Sequence, residues 1–287
     1  MQRLNKSEVI FKVISYVLLG ALAIVALYPV IYAFSASISG KMAYESGQVI
    51  LWPVNINFQV YELLFNDKGF WNTYINTLFY AIFGTAASMI VTTIGAYALA
   101  KRKLLFRRQF NFMIVFTMWF TAGIIPQYIN YNQLGVTNQW GILYGFIGSA
   151  FNTILLRNAF EGIPEEIEEA ALMDGVTEFQ MMTKVFIPMS KSALATVALF
   201  FATSRWNGYI WQRLLLRDVN EQNVQVYMRV LIENYQSMIE NSPVQLPYAA
   251  DSYVYAILVC SIIPVIFIYP HIQKYFVKGI NLGGVKG

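Results

Sequence analysis

Few residues in this sequence have the types and spacing that catalysis requires. The chain contains a single histidine, His271, and a single cysteine, Cys260. They cannot form a metal site with several thiolates, and no nucleophilic triad can be assembled around one histidine. A phosphate-binding loop of the form G-x-x-x-x-G-K-[ST] is also missing, because Gly40-Lys41 has Ser35 where the first glycine is needed. We therefore expect a chain with no metal site and no ATP hydrolysis or other enzymatic activity of its own.

The most distinctive stretch spans residues 162–188 and reads GIPEEIEEAALMDGVTEFQMMTKVFIP. Its glutamates fall in the first turns of a predicted helix, where the helix dipole favours negative charge. Asp174-Gly175 predicts a turn, since glycine adopts the left-handed conformation that ends helices. Thr177 followed by Gln180 predicts a capping box that opens a second helix, and Pro188 is expected to break it. The stretch is therefore expected to form two short helices that lie beside a membrane.

The first of these helices carries like charges at neighbouring positions. Glu165 and Glu169 are four residues apart, and Glu166 and Glu169 are three apart. Each such pair costs roughly 0.2–0.5 kcal/mol in an isolated helix. Either a basic partner surface offsets this repulsion, or the helix dipole and solvent suffice; the sequence leaves both interpretations open.

Polar side chains inside apolar runs are the second group that could do chemistry. They are costly in a membrane, so they indicate either a wet pathway or helix packing. Aromatic faces could stack against sugar rings beside them. Arg205 has two interpretations, an interfacial side chain within an aromatic belt or a residue facing an outer vestibule. The candidate substrate-pathway residues are Asn76, Trp119, Thr121, Asn152, Arg205, Trp206 and Asn207.

Composition defines the class of protein that holds these residues. Of the 287 residues, 57% are hydrophobic and 13% are charged, with a mean hydropathy of +0.48. Soluble domains carry about 25% charged residues, so an all-α integral membrane protein is expected. The net charge of +4 reflects the distribution of basic loops and does not indicate nucleic-acid binding.

Six membrane spans are predicted, because uncharged runs alternate with charged or turn-rich segments. Basic residues concentrate in the N-terminal segment 1–12, at 101–108 and in the tail 272–287, which places these segments and both termini in the cytoplasm. The permease domain covers 13–271, and the predicted spans are 13–34, 72–100, 110–129, 140–156, 192–211 and 252–270.

The stretch 162–188 resembles the EAA loop of ABC importer permeases. The family pattern is E-A-A, three residues, G, nine residues, I-x-L-P, and here Val185 and Ile187 replace the isoleucine and leucine. In that family the loop is a pair of coupling helices that docks on a cytoplasmic ATPase. The resemblance assigns ATPase coupling to Glu169, Ala170, Ala171, Asp174, Gly175 and Pro188.

The rest of the chain resembles carbohydrate importers of the maltose-permease class, in the LplC/YtcP-like branch. Residues 118–128, MWFTAGIIPQY, are similar to MFFSGGLIPTYL, with Ala122 in place of a glycine. Arg205-Trp206-Asn207 resembles HWN after the fifth span, with Arg205 in place of histidine, and the C-terminal segment matches the family's end. The departure at Arg205 suggests a role in admitting an anionic or bulky glycan.

The resemblance implies a type I ABC importer permease fold in a bacterial cell membrane. Its implied partners are a second permease subunit in a heterodimer, two ATPase subunits and an extracytoplasmic solute-binding protein that delivers an oligosaccharide, with lipid around the spans. ATP and Mg²⁺ are expected on the ATPase, and no cofactor on this chain. The alternatives are a permease for a non-sugar solute, a self-powered secondary transporter, or a membrane enzyme. A secondary transporter typically has carboxylates inside its spans, which these spans lack.

Overall fold

The computed structural model describes residues 6–241 and 248–279, and these residues form helices and no strand. A π-helical segment, Met181–Phe186, lies between α10 and α11, and a 3₁₀ turn covers Val219–Glu221. The α-helices are α1 Lys6–Ser37, α2 Lys41–Glu45, α3 Gln59–Asn66, α4 Lys68–Ala100, α5 Arg107–Trp119, α6 Ile124–Gln133, α7 Gln139–Gly145, α8 Ala150–Glu161, α9 Glu165–Met173, α10 Glu178–Gln180, α11 Ile187–Met189, α12 Lys191–Trp206, α13 Ile210–Leu215, α14 Val224–Asn241 and α15 Ala250–Gly279. The predicted all-α membrane fold is confirmed.

Three helices in the described part of the chain are long and apolar enough to cross a membrane. They lie in α1, α4 and α15 and contain the predicted spans 13–34, 72–100 and 252–270. The span predicted at 192–211 is helical only to Trp206 in α12, and α13 begins at Ile210. Two bent helix pairs raise the number of candidate spans to as many as five. The six-span arrangement therefore stays a prediction.

Two predicted spans are interrupted where the sequence indicated continuous helices. The run 110–129 breaks between α5 and α6, which meet at 117° around Gly123, whose φ is 79°. The run 140–156 is divided between α7 and α8. Asn138 Oδ1 accepts the Gly141 N–H at 2.8 Å at the start of α7, and Ser149 Oγ accepts the Asn152 N–H at 3.3 Å at the start of α8. The cap at Ser149 starts a new helix inside a run that hydropathy alone presents as uniform.

One compact unit contains residues 1–70 and 228–263. The polar segment after α1 folds back on this unit and includes the short helix α3. Ser252 Oγ donates to Ala36 O at 3.0 Å, and the hydroxyls of Ser37 and Tyr61 are 2.8 Å apart. These bonds attach the start of α15 and helix α3 to the end of α1.

The second compact unit contains residues 71–227 and 264–287 and holds the candidate site residues. One buried cluster joins α4, α8, the π-helical segment and α12 through residues that include Tyr97, Phe160, Phe186 and Phe201. A second cluster forms around Tyr80 and Val136, where a Cβ on Gly141 would stand 2.7 Å from Val136 Cα. Three segments lie outside the described residues: 1–5, 242–247 and 280–287. The last of these includes the end of the C-terminal segment that resembles the family.

Candidate coupling loop and substrate cavity

Helix α9 ends in the turn that the sequence predicts at Asp174-Gly175. Gly175 has a φ of 74°, its N–H bonds to Leu172 O at 3.0 Å, and the Val176 N–H bonds to Ala171 O at 3.3 Å. This pair of bonds is a Schellman motif, which satisfies the last carbonyls of a helix and requires a left-handed residue at this position. Ala171 and Val176 both pack on the buried cluster, so the turn has a fixed position on the rest of the unit.

The second helix opens with the predicted capping box. The Thr177 N–H bonds to Gln180 Oε1 at 3.0 Å, and the Gln180 N–H bonds to Thr177 Oγ1 at 3.3 Å. The helix then widens into the π-helical segment, which nothing in the sequence indicated, and continues past Pro188 to Met189 instead of breaking at the proline. Met181 and Phe186 are buried, whereas Phe179 is exposed.

A basic cluster at the end of α4 holds the coupling helices against their own unit. Lys101 Nζ lies 2.7 Å from Glu168 Oε1 on α9 and 3.0 Å from Glu178 Oε2 on α10. It also stands 4.6 Å from the ring centroid of Tyr97 and 5.2 Å from that of Phe186, within cation–π range. A single ammonium group therefore binds both helices of the pair.

Neighbouring arginines extend this contact. Arg102 Nη1 lies 2.6 Å from Glu165 Oε2, and Arg107 pairs with Glu161. For Glu165 and Glu168, the basic side chains that offset the repulsion among the glutamates therefore belong to this same chain. Glu166 and Glu169 make no ion pair within the described residues.

The electrostatics of Lys101 and Glu178 agree with this geometry. Burial alone would lower the pKa of Lys101, but its contacts with Glu168, Tyr97 and Glu178 raise that pKa above its usual range. The hydrogen bond from Tyr97 and the contact with Lys101 lower the pKa of Glu178 below its usual range. Both groups are therefore charged over the whole physiological pH range, and their contact persists there.

The outer surface of the loop is apolar at its tip. Met173 is 89% exposed and Phe179 is 71% exposed, on either side of the Gly175 turn. Glu169, Ala170 and Asp174 are also exposed, while Ala171 packs inward. The structure thus brings the predicted coupling residues together, except Pro188 at the far end of the second helix. The sequence analysis missed Met173 and Phe179 as surface residues, because a helical apolar pattern usually indicates a core.

A cavity of about 690 Å³ lies among residues of α7, α8, α12 and α13. Three of the predicted pathway residues line it: Asn152, Arg205 and Asn207. Asn76 instead donates to Asn220 O at 2.6 Å, and Trp206 is buried with its ring 6.1 Å from that of Tyr74. Trp119, 88% exposed, and Thr121 lie at the α5–α6 break, away from the cavity.

Arg205 is a buried residue in the lining of this cavity. It is only 6% exposed, so it does not reach out to a membrane interface within an aromatic belt. Nη1 donates to Ile142 O at 3.1 Å, and Nη2 donates to Phe146 O at 2.6 Å and to Ser88 Oγ at 3.3 Å. The guanidinium therefore ties α12 to α4 and to the break between α7 and α8.

The cavity also contains polar residues that the sequence analysis did not single out. Gln212 is 4% exposed, and its Oε1 is buried without a hydrogen-bond partner in the described part of the chain. Ser149 and Ser204 line the same cavity. Gln212 stands in a segment expected to lead outward from the fifth span, so no signal in the sequence distinguished it from a surface residue.

Comparison with known proteins shows similarity along the whole chain. Residues 9–282 match the family described as "Binding-protein-dependent transport system inner membrane component". The polygalacturonan/rhamnogalacturonan transport system permease protein YtcP of Bacillus subtilis (strain 168) is 32% identical over 282 residues, which cover 97% of this chain and 99% of the relative. Protein LplC of the same strain is 28% identical, with 99% of this chain and 97% of the relative covered.

A solved structure is also similar at full length. It is described as a bacterial ABC transporter involved in the import of the acidic polysaccharide alginate. One of its chains is 47% identical to this one and superimposes with a TM-score of 0.85, over 96% of this chain and 100% of that chain.

Proposed function

Because the chain belongs to the family of binding-protein-dependent transport system inner membrane components, and is thus a permease subunit of an ABC importer, we propose that its substrate is an acidic oligosaccharide. The family confirms the type I permease fold and the carbohydrate-permease class that the sequence resembles. The observation that carries the proposed substrate is full-length similarity to two transporters of uronate-containing polymers, one of polygalacturonan and one of alginate.

A second permease subunit is expected to cover the α5–α6 region. Neither helix has a buried residue, although both are rich in large apolar side chains. Phe112, Phe116 and Phe120 stack on one another along an exposed face, with centroid distances of 6.1 and 5.4 Å. An apolar helix face that is exposed in this way needs either lipid or protein around it. The sharp break beside Trp119 and Thr121 supports a sister subunit as that partner, and these two residues are proposed to lie on the side of a shared pathway.

The ATPase is proposed to dock on the tip of the coupling loop. Met173 and Phe179 offer apolar contact, and Glu169 offers an unpaired carboxylate among the described residues. The contacts of Lys101 leave this tip free while fixing the base of both helices. An interface of this kind combines a small apolar core with a charged rim.

The proposed transport cycle is alternating access. ATP and Mg²⁺ bind the two ATPase subunits, whose closure moves the docked coupling helices. The pathway then opens outward to receive the oligosaccharide from the extracytoplasmic binding protein, and hydrolysis resets it. The proposed location is a bacterial cell membrane, with both termini and the coupling loop on the cytoplasmic side.

The proposed substrate can be tested in proteoliposomes that contain both permeases, the ATPases and the binding protein. We expect ATP-dependent uptake of a uronate trisaccharide and weaker uptake of the same trisaccharide with its carboxylates reduced to alcohols. Uptake only of the reduced form, or of neither, would contradict an acidic substrate. Uptake that continues without ATP under an ion gradient would instead support the secondary-transporter alternative.

The proposed ATPase contact has a matched control within the chain. Replacement of Met173 and Phe179 by alanine is expected to reduce retention of the ATPase in a pull-down and to lower binding-protein-stimulated ATP hydrolysis. Met42 on α2 is 84% exposed and lies in a segment predicted to be external, so Met42→Ala should change neither. Equal ATPase retention by the double variant and by wild type would contradict the proposal that the ATPase docks on this tip.

A further inference from the structure

The charge of Arg205 is not neutralised by any carboxylate within the described residues. Its three hydrogen bonds go to two backbone carbonyls and a serine hydroxyl, all of them neutral, and they occupy three of the five guanidinium N–H groups. Buried charges in proteins are normally paired, because an unpaired charge loses its hydration without compensation. The positive charge of this buried guanidinium beside the cavity therefore favours an anionic ligand there.

Two side-chain amides in the same cavity are available for a ligand. Gln212 Oε1 has no partner, and the Asn152 side chain, 5% exposed, makes no hydrogen bond among the described residues. A buried amide left unsatisfied is destabilising, so such groups usually meet water or a ligand. An amide can also turn about its last torsion and present either its oxygen or its NH₂ group.

An aromatic wall completes the lining. Phe146 and Trp211 both line the cavity, and their ring centroids are 5.7 Å apart. Tyr131 packs against both of them, at 4.9 Å and 5.3 Å, which holds the wall rigid. Aromatic faces suit the apolar face of a pyranose ring, and the cavity volume of about 690 Å³ is in the range of small-molecule sites.

We propose that this cavity is a subsite for one uronate residue of the passing saccharide. The sugar carboxylate faces Arg205 and accepts from the amide NH₂ group of Asn152, while a sugar hydroxyl donates to the free oxygen of Gln212. A uronic acid supplies both groups, an acceptor-only carboxylate and donor hydroxyls, whereas a neutral hexose supplies no charge to oppose Arg205. The inference rests on the proposed acidic substrate and locates its recognition within this subunit.

The site can be probed by thiol labelling of Ser204→Cys, which lines the cavity, in a Cys260→Ala background. Gly148→Cys gives a second probe, because a Cβ there meets no atom within 4 Å. In the reconstituted complex with binding protein and ATP, a uronate trisaccharide should slow labelling of both probes. Its carboxyl-reduced counterpart should protect at least tenfold less well at equal concentration.

The variant Gln212→Met tests the same site without touching the bonds of Arg205. It keeps the side-chain length and removes the free amide, and it should raise the half-protecting trisaccharide concentration about tenfold, the effect of losing one hydrogen bond to a polar ligand. Gln59→Met on α3, exposed and outside the cavity, is the control and should change nothing.

The outcomes separate the two proposals. Normal uptake of the acidic trisaccharide with unprotected probes, or equal protection by the reduced trisaccharide, would overturn the subsite and leave the proposed substrate standing. No uptake of the acidic trisaccharide by wild type would overturn the proposed substrate and the subsite with it.

Discussion

Gly84 on α4 lies directly against the guanidinium of Arg205 on α12. A methyl group on Gly84 would stand 2.9 Å from Arg205 Nε and 3.1 Å from Cδ, closer than van der Waals contact allows. The side chain of Arg205 already donates hydrogen bonds to Ile142, Phe146 and Ser88, so it has little freedom to move away. The position therefore accepts only glycine while Arg205 keeps these bonds.

The first prediction follows from this contact. Gly84→Ala should destabilise the protein by about 1–3 kcal/mol, the usual effect of overpacking, and lower its melting temperature in detergent. Gly95→Ala on the same helix meets nothing within 4 Å and should be neutral or slightly stabilising, because alanine favours helix. Equal melting temperatures for the two variants would show that Arg205 does not fill this space.

Lys101→Met should loosen the coupling helices without unfolding the membrane spans. Lys101 bonds Glu168 and Glu178, and hydrogen bonds to charged groups contribute about 1.5–3 kcal/mol. The variant should therefore lose most binding-protein-stimulated ATP hydrolysis while keeping its melting temperature within a few degrees. Lys103 is exposed and makes no ion pair within the described residues, so Lys103→Met is the matched control. Full stimulation in Lys101→Met would exclude a positioning role.

The glycine turn gives a third prediction. Gly175→Ala places a side chain at a φ of 74° and should cost about 1–2 kcal/mol, which weakens the Schellman turn and lowers stimulated ATP hydrolysis and uptake. Gly162, at the end of α8, has a φ of −74°, so Gly162→Ala should be tolerated. Binding of sugar by the separate binding protein should be unchanged in both. If Gly175→Ala transports like Gly162→Ala, the shape of this turn is not required for coupling.

The pH dependence of the Lys101 contact has a defined sign. The pKa of Glu178 is lowered from 4.5, so its stabilising contribution is present above pH 4.5 and is lost as the pH falls through the folded-state value. The pKa of Lys101 is raised from 10.5, so its contribution is present below pH 10.5 and is lost as the pH rises through the folded-state value. The difference in melting temperature between wild type and Glu178→Gln should thus be constant from about pH 6 to 9 and shrink in acid. A difference that varies steeply within pH 6–9 would contradict this assignment.

Membrane orientation is tested by labelling single cysteines in a Cys260→Ala background. The basic residues at 101–108 and the coupling loop are expected on the cytoplasmic side. Met173→Cys should therefore resist an impermeant maleimide in intact cells and react after permeabilisation, whereas Met42→Cys should react in intact cells; both methionines are highly exposed. The reverse pattern would invert the topology.

The coupling loop could be predicted from sequence to a large extent, because its signals are local. The Gly175 turn depends on a conformation that glycine favours, and the capping box depends on two side chains three residues apart. Pairing between Lys101 and Glu168 is different, since the two residues are 67 positions apart. The sequence placed both on one side of the membrane, but only the packing of α4 on the coupling pair selects this partner.

The cavity was the least predictable part. Arg205 binds backbone carbonyls, which every residue possesses, so no pairing signal exists in the sequence. The break between α7 and α8 that shapes the cavity depends on Ser149 acting as a cap within the predicted span 140–156, where hydropathy indicates a continuous helix. The π-helical segment likewise reflects the packing of Met181 and Phe186 in the buried cluster rather than a local preference.

Helix α4 carries Gly84 near its middle and ends at Ala100, immediately before Lys101. With a rise of 1.5 Å per residue, Gly84, which contacts Arg205, lies about 24 Å along the helix axis from Ala100, the end of α4 beside the coupling helices. If the ATPase docks as proposed, we expect its motion on the coupling pair to tilt α4 and to shift Gly84 against the guanidinium of Arg205. A small rotation of α4 should then change the hydrogen bonds of Arg205 to the two carbonyls, so the proposed affinity of the cavity for an anion should differ between the two halves of the ATP cycle.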